Sequence, residues 1–366
     1  MAVLKQYADY QWAVDDDFYV IFEHLGTNQE ETEWVNYKLS QGKGIMMWSK
    51  LTDPYNEATM GYNENRKSDF SWIDYKNRGW SVPANVAYME SHDEERLMFK
   101  NLEFGNADGS YNVKDKATAL ERQKTAGAFY FMVPGPKMIW QFGELGYDVS
   151  INDPCRVCNK PIRWEYFEDP DRKALYELWA KLVKLKLQEP IFQSSEFSVD
   201  ADQSSGLKKI QLTDTEAGAE LQHINVIGNF GVVSQQIDPD FQATGTWYDL
   251  LDDNRSLNVT NVNAPITLAP GEFRIYGSSQ VVLPVDEFEL MNADLLIYPN
   301  PVTERFRINK PVQKLEIYDY TGRLVSRLEG DFFPDQEYDA SWLKPSIYIL
   351  RISTELGSTS RRLIVE

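Results

Sequence analysis

Up to about residue 190 the chain alternates between apolar side chains at helical spacing and short apolar runs that stop abruptly at polar residues. The runs cover 18–22, ending at Glu23-His24, then 45–48, 86–89 and 137–140. A strand buried on both faces reads as such a run, and its alternation with helices predicts βα units around a parallel sheet. Helices are expected over 28–39 and 116–132. Another starts at Asp169-Pro170, a cap residue followed by proline in the first turn. It carries Leu175, Leu178, Trp179, Leu182 and Leu185 on one face before Pro190 ends it. Val3, Leu4, Tyr7, Tyr10 and Trp12 also fall near helical spacing with no cap before them, as in a chain that begins partway through a domain. A complete eight-stranded barrel takes roughly 250 residues. Residues 1–190 are therefore expected to be the second half of a (β/α)8 barrel whose first half lies before Met1. Its end strands would each expose an unpaired edge and invite self-association.

Beyond that point the helical signal disappears. Short β-type runs at 209–212, 223–227, 246–250, 266–268 and 273–276 predict a small antiparallel β domain over 191–278. Residues 279–292 read as an acidic, proline-containing linker, and 293–366 as a β-sandwich with strands near 295–298, 315–319, 347–352 and 361–365. The fold class is α/β followed by all-β.

Composition narrows the function classes. With 37 basic against 56 acidic residues the net charge is -19, which argues against nucleic-acid or anionic-membrane partners and suits a neutral polymer such as a polysaccharide. No apolar run approaches the length of a membrane span, and the first residues lack the features of a signal peptide. The two cysteines, Cys155 and Cys158, have a spacing open to a tight disulfide, half a metal site or neither. With no second pair or nearby histidine, a non-metal reading is preferred and no metal ligands are assigned. His24 and His223 sit in no metal-type cluster and read as structural.

Glycoside hydrolysis needs a protonated carboxylic acid at the leaving oxygen and an ionised carboxylate near the anomeric carbon. Glu23 and Asp93 each follow an apolar strand and would face the mouth of a barrel. The alternatives are that Glu23 caps the next helix or pairs with a base, and that Glu94 and Glu95 form a solvated first turn favoured by the helix dipole. The stretch from Trp48 to Trp80 is rich in aromatic rings, which stack on the apolar faces of sugars. Trp48, Trp72 and Tyr75 are the stacking candidates, set against packing of these rings into the barrel wall.

Residues 18–23, 86–93 and 137–144 resemble, in type, order and separation, the last three signature regions of the α-amylase superfamily of glycoside hydrolases. The resemblance covers residues 1–190, and the β domain after it is similar to the family's C-terminal domain. It implies that Glu23 is the general acid/base, Asp93 the transition-state-stabilising aspartate, and His92 a hydrogen-bond donor to the bound sugar. The substrate would be an α-glucan such as starch or maltooligosaccharides, cleaved with retention, or transferred as in the superfamily's glucanotransferases. No obligatory cofactor is implied, and a calcium ion is allowed in the complete enzyme. The chain departs from the pattern at Ser91-His92-Asp93, where Asn-His-Asp is commoner, and it has no Gly-x-Arg-x-Asp motif for the nucleophile. Asp15, Asp16 and Asp17 precede the first strand and would lie at the wrong end of the barrel. The polypeptide is therefore expected to be inactive alone. A non-catalytic surface glucan-binding protein is the alternative from another class.

The last segment carries a second resemblance. Leu295 to Val302 with its Tyr-Pro-Asn-Pro start, Leu315 to Gly322 and the closing Arg362-Leu363-Ile364-Val365 are similar to the C-terminal sorting domain of type IX secretion. This implies the type IX machinery as a partner, export to the cell surface or medium, and removal of the domain.

Overall fold

The computed structural model describes residues 2–281, 295–319, 321–354 and 357–366, and the chain forms two compact units, 1–283 and 284–366. Most of the expected linker lies outside the described residues.

The first unit opens with α1 (Ala2–Val14), β1 (Ile21–Phe22), α2 (Asn28–Val35), β2 (Met46–Lys50), α3 (Thr52–Met60) and β3 (Asn85–Tyr88). It continues with α4 (Leu97–Phe104), a small hairpin of β4 (Ala107–Asp108) and β5 (Tyr111–Asn112), α5 (Lys116–Phe131), β6 (Lys137–Met138) and α6 (Pro170–Gln188). Strands β1, β2, β3 and β6 pair in parallel in that order, with β1 and β6 as edges among the described residues. All four residues of β3 are buried, as a central parallel strand requires.

Several elements differ from expectation. β1 keeps only the end of the 18–22 run, because Phe18 and Tyr19 are exposed and only Ile21 and Phe22 register with Met46 and Met47. α2 stops at Val35 instead of residue 39. Lys38 there adopts a left-handed φ of 55° and a short 3-10 turn, Leu39–Gln41, follows. β6 ends two residues early, at Met138, so that Trp140 lies just beyond the strand. The 48–80 stretch is not an aromatic loop but contains α3 and three 3-10 turns, and α4 was not anticipated. By contrast α6 begins as expected, with the Asp169 carboxylate accepting from the N–H groups of Asp171 and Arg172 and proline at the first position.

Eight strands complete the unit: β7 (Phe197–Asp200), β8 (Leu207–Thr213), β9 (His223–Asn229), β10 (Gln235–Ile237), β11 (Gly245–Asp249), β12 (Arg255–Val259), β13 (Ile266–Leu268) and β14 (Phe273–Gly277). Six of them form one antiparallel sheet in the order β12-β11-β14-β9-β8-β7, and β10 pairs with β13. One continuous apolar core joins this β region to the helices, through Tyr55 stacked on Phe70 at 4.4 Å and Phe129 against Phe230 at 5.2 Å. Polar fasteners cross the same seam. Arg122 of α5 is fully buried and donates to the carbonyls of Ala58, Thr59, Phe230 and Gly231 at 2.6–2.8 Å. Lys208 donates to Ser68 and Ala201, and Asn63 to the Phe230 carbonyl. Among the described residues, no carboxylate accepts from Arg122. Two of its acceptors are in the last turn of α3, where the helix dipole concentrates negative charge. Within the helix layer α5 and α6 approach so closely that a Cβ on Gly127 would stand 2.2 Å from Trp179 Nε1, whose N–H donates to the Gln123 carbonyl.

The second unit is all β. Its strands are β15 (Ile297–Tyr298), β16 (Arg305–Ile308), β17 (Val312–Tyr318), β18 (Leu324–Phe332), β19 (Glu337–Asp339), β20 (Ser346–Thr354) and β21 (Gly357–Val365). They make a three-stranded sheet, β15-β16-β19, and a four-stranded sheet, β18-β17-β20-β21, around a core of its own that includes Phe306, Leu315, Leu350 and Leu363. Side chains alternate strictly along β20, with Tyr348, Leu350 and Ile352 inward and Ile347, Ile349 and Arg351 outward.

Replacing Arg122 by leucine leaves four buried carbonyls without their donor. Arg122→Leu is expected to lower the unfolding free energy by roughly 3–5 kcal/mol, a large effect for one side chain. A urea midpoint equal to that of the wild type would rule this out.

Candidate functional site

β3 runs into a turn built on two withdrawn charges. Glu90 is buried and its carboxylate accepts from the Leu97 N–H at 2.7 Å, supplying the N-terminal cap of α4 from seven residues upstream. Arg96, also buried, donates to the Ser91 carbonyl at 2.8 Å, and its guanidinium lies over the rings of Trp140 and Tyr147. The Ser91 hydroxyl accepts from the Asp93 N–H and donates to Glu94. With Glu90, Ser91 and Arg96 holding the backbone from inside, His92 and Asp93 point outward. Burial pushes the Glu90 carboxyl above its ordinary range, opposed by the nearby Arg96, and burial pushes the Arg96 guanidinium down. Gly143 passes directly against this turn, since a Cβ there would come within 2.5 Å of Glu90 Oε2.

Glu23 leaves the carboxyl end of β1 and reaches the same place. His92 Nε2 lies 3.6 Å from Glu23 Oε1 and 3.5 Å from Asp93 Oδ2, with all three side chains about half exposed. Rings flank the histidine on two sides. Trp48, on β2, has its centroid 6.0 Å away, and Trp140, just past β6, 5.8 Å away. All four parallel strands contribute: Glu23 follows β1, His92 and Asp93 follow β3, Trp140 follows β6 and Trp48 lies within β2, and the carboxyl ends of strands are where an α/β sheet collects its ligand-contacting side chains.

Two stacking candidates are elsewhere. Ser49 follows Trp48 on β2 and so faces the other side of the sheet, where it accepts from Arg78. Arg78 also pairs with Glu31 at 2.6 Å and sits beneath the rings of Trp72 and Trp80. Tyr75 is buried against Phe197 of β7. Tyr75 thus packs toward the β region and Trp72 lies at the surface over Arg78, whereas the rings beside His92 are those of Trp48 and Trp140.

The alternatives for the acidic residues resolve individually. Thr27, not Glu23, caps α2, accepting from the Glu30 N–H. Glu94 and Glu95 are not a solvated first turn. Glu94 lies 3.5 Å from Lys50 Nζ, and Glu95 accepts from Ser150 Oγ and the Ile151 N–H. Cys155 and Cys158 form a disulfide in the loop after Tyr147, and Arg156 between them donates to the Asp93 carbonyl. Trp140 and Arg156 were missed from sequence. Trp140 had a usable signal as an aromatic residue closing the fourth apolar run, whereas Arg156 had none.

Among the described residues, Glu23, His92 and Asp93 are the group whose ligand atoms gather closely enough, within 4.8 Å, to hold a cation. Calcium takes six to eight oxygen ligands, and this set offers two carboxylates and an imidazole, so it does not fit calcium. Two carboxylates and a donor–acceptor imidazole between aromatic rings do suit the hydroxyls and apolar faces of a sugar.

Comparison with known proteins agrees with the two-unit division. Residues 296–366 match the family of secretion system C-terminal sorting domains, and this tail addresses the protein through type IX secretion to the cell surface or extracellular space. No curated protein matches the chain by sequence. In fold it is similar to an Anoxybacillus α-amylase, with a TM-score of 0.52 and 16% identity over 76% of this chain and 56% of that one. A pullulanase from Bacillus acidopullulyticus gives 0.53 and 14% over 75% and 36%, and a type I pullulanase from Bacillus subtilis, solved with maltose, 0.54 and 15% over 76% and 42%. The chain spans about half or less of the length of these glycoside hydrolases. Among the described residues, no helix is long and apolar enough to cross a membrane.

The raised carboxyl of Glu90 has a measurable sign. Between its unfolded and folded ranges the folded state holds more protons, so Glu90 favours folding at acid pH and this contribution is lost as pH rises through the folded value. Glu90→Gln keeps an acceptor for Leu97 without the ionisation. The variant is expected to gain stability over wild type at pH 8, with the gain shrinking toward pH 4.5, the ordinary carboxyl value. Urea midpoints of both proteins across that range check it, and a difference independent of pH would refute it.

Proposed function

We propose that the Glu23–His92–Asp93 cluster is part of an α-glucan site of the α-amylase type, carried on the second half of a (β/α)8 barrel formed by residues 1–190, with 191–278 as the accompanying β domain. The observation that carries this reading is the convergence of these three side chains between Trp48 and Trp140 at the carboxyl ends of the parallel strands. The fold likeness to an α-amylase and to pullulanases, one of them solved with maltose, supports it.

In this reading Glu23 protonates the glycosidic oxygen and then activates water, Asp93 stabilises positive charge developing at the anomeric carbon, and His92 donates to a sugar hydroxyl. Trp48 and Trp140 present faces on which the pyranose rings rest. A retaining mechanism needs a further carboxylate roughly 5–5.5 Å from the acid to form the glycosyl-enzyme. Asp15, Asp16 and Asp17 precede β1, at the opposite end of the sheet, and do not serve. The nucleophile would come from the complementary barrel half, as a partner segment, and the 366-residue polypeptide would bind glucan without turning it over.

The absence of a third carboxylate from the cluster, among the described residues, favours one second reading, a surface glucan-binding protein with no catalysis. Binding by the isolated chain is common to both. Maltoheptaose affinity, measured by calorimetry, is expected to fall about tenfold or more in His92→Ala and Trp48→Ala, each removing a polar or stacking contact worth ~1–2 kcal/mol. Trp72→Ala should bind as wild type. Release of reducing ends from starch that disappears in Glu23→Gln would overturn the inactivity. For the second unit, deleting residues 296–366 should leave the protein inside a cell with type IX secretion. Undiminished appearance of the truncated chain in the medium would contradict export by this tail.

A further inference from the structure

The loop that follows Tyr147 is tied to the cluster at more than one point. At its base the Tyr147 hydroxyl donates to the Pro161 carbonyl at 2.6 Å, and Glu95 holds Ser150 and Ile151 at 3.0 and 2.7 Å. Lys160 reaches back across the loop to the carbonyls of Ile151, Asp153 and Cys155. At the tip, the Cys158 N–H donates to the Cys155 carbonyl at 3.2 Å, and the Cys155–Cys158 bridge closes the same turn covalently. Arg156 projects from inside that closed turn and donates to the main-chain carbonyl of Asp93.

We propose that Arg156, aimed by the Cys155–Cys158 bridge, is a positioning residue for the Glu23–His92–Asp93 cluster, so that opening the bridge alters the arrangement of the cluster. As a statement about a sugar site this rests on the glucan reading above, but the coupling itself does not. Asp93 sits on an exposed turn whose inner side is held by Glu90, Ser91 and Arg96, while its carbonyl faces outward with Arg156 as donor. Opening the bridge restores backbone freedom to the residues around Arg156, and the guanidinium must then lose that freedom again to reach Asp93. Cys158 is exposed and Cys155 half-buried, so the bond is open to a reductant. On reduction the Sγ–Sγ bond breaks and both cysteines become thiols. A dithiol reagent supplies the two electrons and two protons and leaves as its own cyclic disulfide. Lys160 and Glu95 still hold the base of the loop, so the effect is confined to its tip.

The chain has three histidines, which makes His92 a resolvable reporter between two indole rings. With ring-labelled histidine, the His92 Cε1–Hε1 resonance is expected to shift or double on reduction with dithiothreitol. Cys155→Ser/Cys158→Ser and Arg156→Ala should reproduce this change, and Arg156→Lys should largely undo it. His24 and His223 should stay in place in every form, showing that the fold is intact. A His92 resonance indifferent to reduction and to Arg156→Ala overturns the proposal, as does a response to the cysteine changes that Arg156→Ala fails to reproduce. Adding maltoheptaose to the same samples separates the two readings. If the oxidised wild type binds no sugar, the glucan assignment fails while the histidine response still judges the clamp.

Discussion

Glu90 and Arg96 are taken out of water within one turn, and the desolvation each suffers is offset by the other's nearby charge and by backbone: an N–H at the start of α4 for the acid, a carbonyl at Ser91 for the base. Neither side chain faces the cluster. Between them they leave the chain little choice about the path from β3 to α4, and that path is what turns His92 and Asp93 toward Glu23. The geometry of the exposed residues therefore depends on buried groups that are not among them. The passage of Gly143 against Glu90 extends the same constraint to the loop after β6 and to Trp140, which closes the far side of the cluster.

The molecule also shows why export and site architecture belong together. The tail that directs secretion is an independent β unit with its own core, so it can be read by the export machinery whatever the first unit does. The first unit carries a surface disulfide, a bond that persists in the oxidising surroundings to which that tail leads.

Much of this was legible in sequence where the determinants are local. The cap and proline at Asp169-Pro170, the period of α6 and the alternation along β20 are written in adjacent residues, and the structure follows them. Apolar runs ending in Glu23 and in His92-Asp93 were enough to bring three side chains to one place, because strand direction alone decides which end they occupy. What failed depended on distant partners. Trp72 and Tyr75 were expected beside the cluster, yet the face a ring occupies is set by what Arg78, Ser49 and Phe197 leave open to it. α4 was invisible because its cap comes from Glu90, seven residues away. Arg156 could not be found at all, since its role exists only through contact with a turn more than sixty residues upstream.

The near-contact of Gly127 with Trp179 bears on tolerance to change rather than on strength. Elsewhere in the helix layer a leucine or methionine can be exchanged for a neighbour of similar volume and the surroundings will adjust. Here one helix's backbone touches the other's buried indole, and a methyl group at Gly127 would overlap it unless the ring moved. The spacing of α5 and α6 is in effect a gauge block, machined by the lack of one side chain, against which the other distances in the layer are referred.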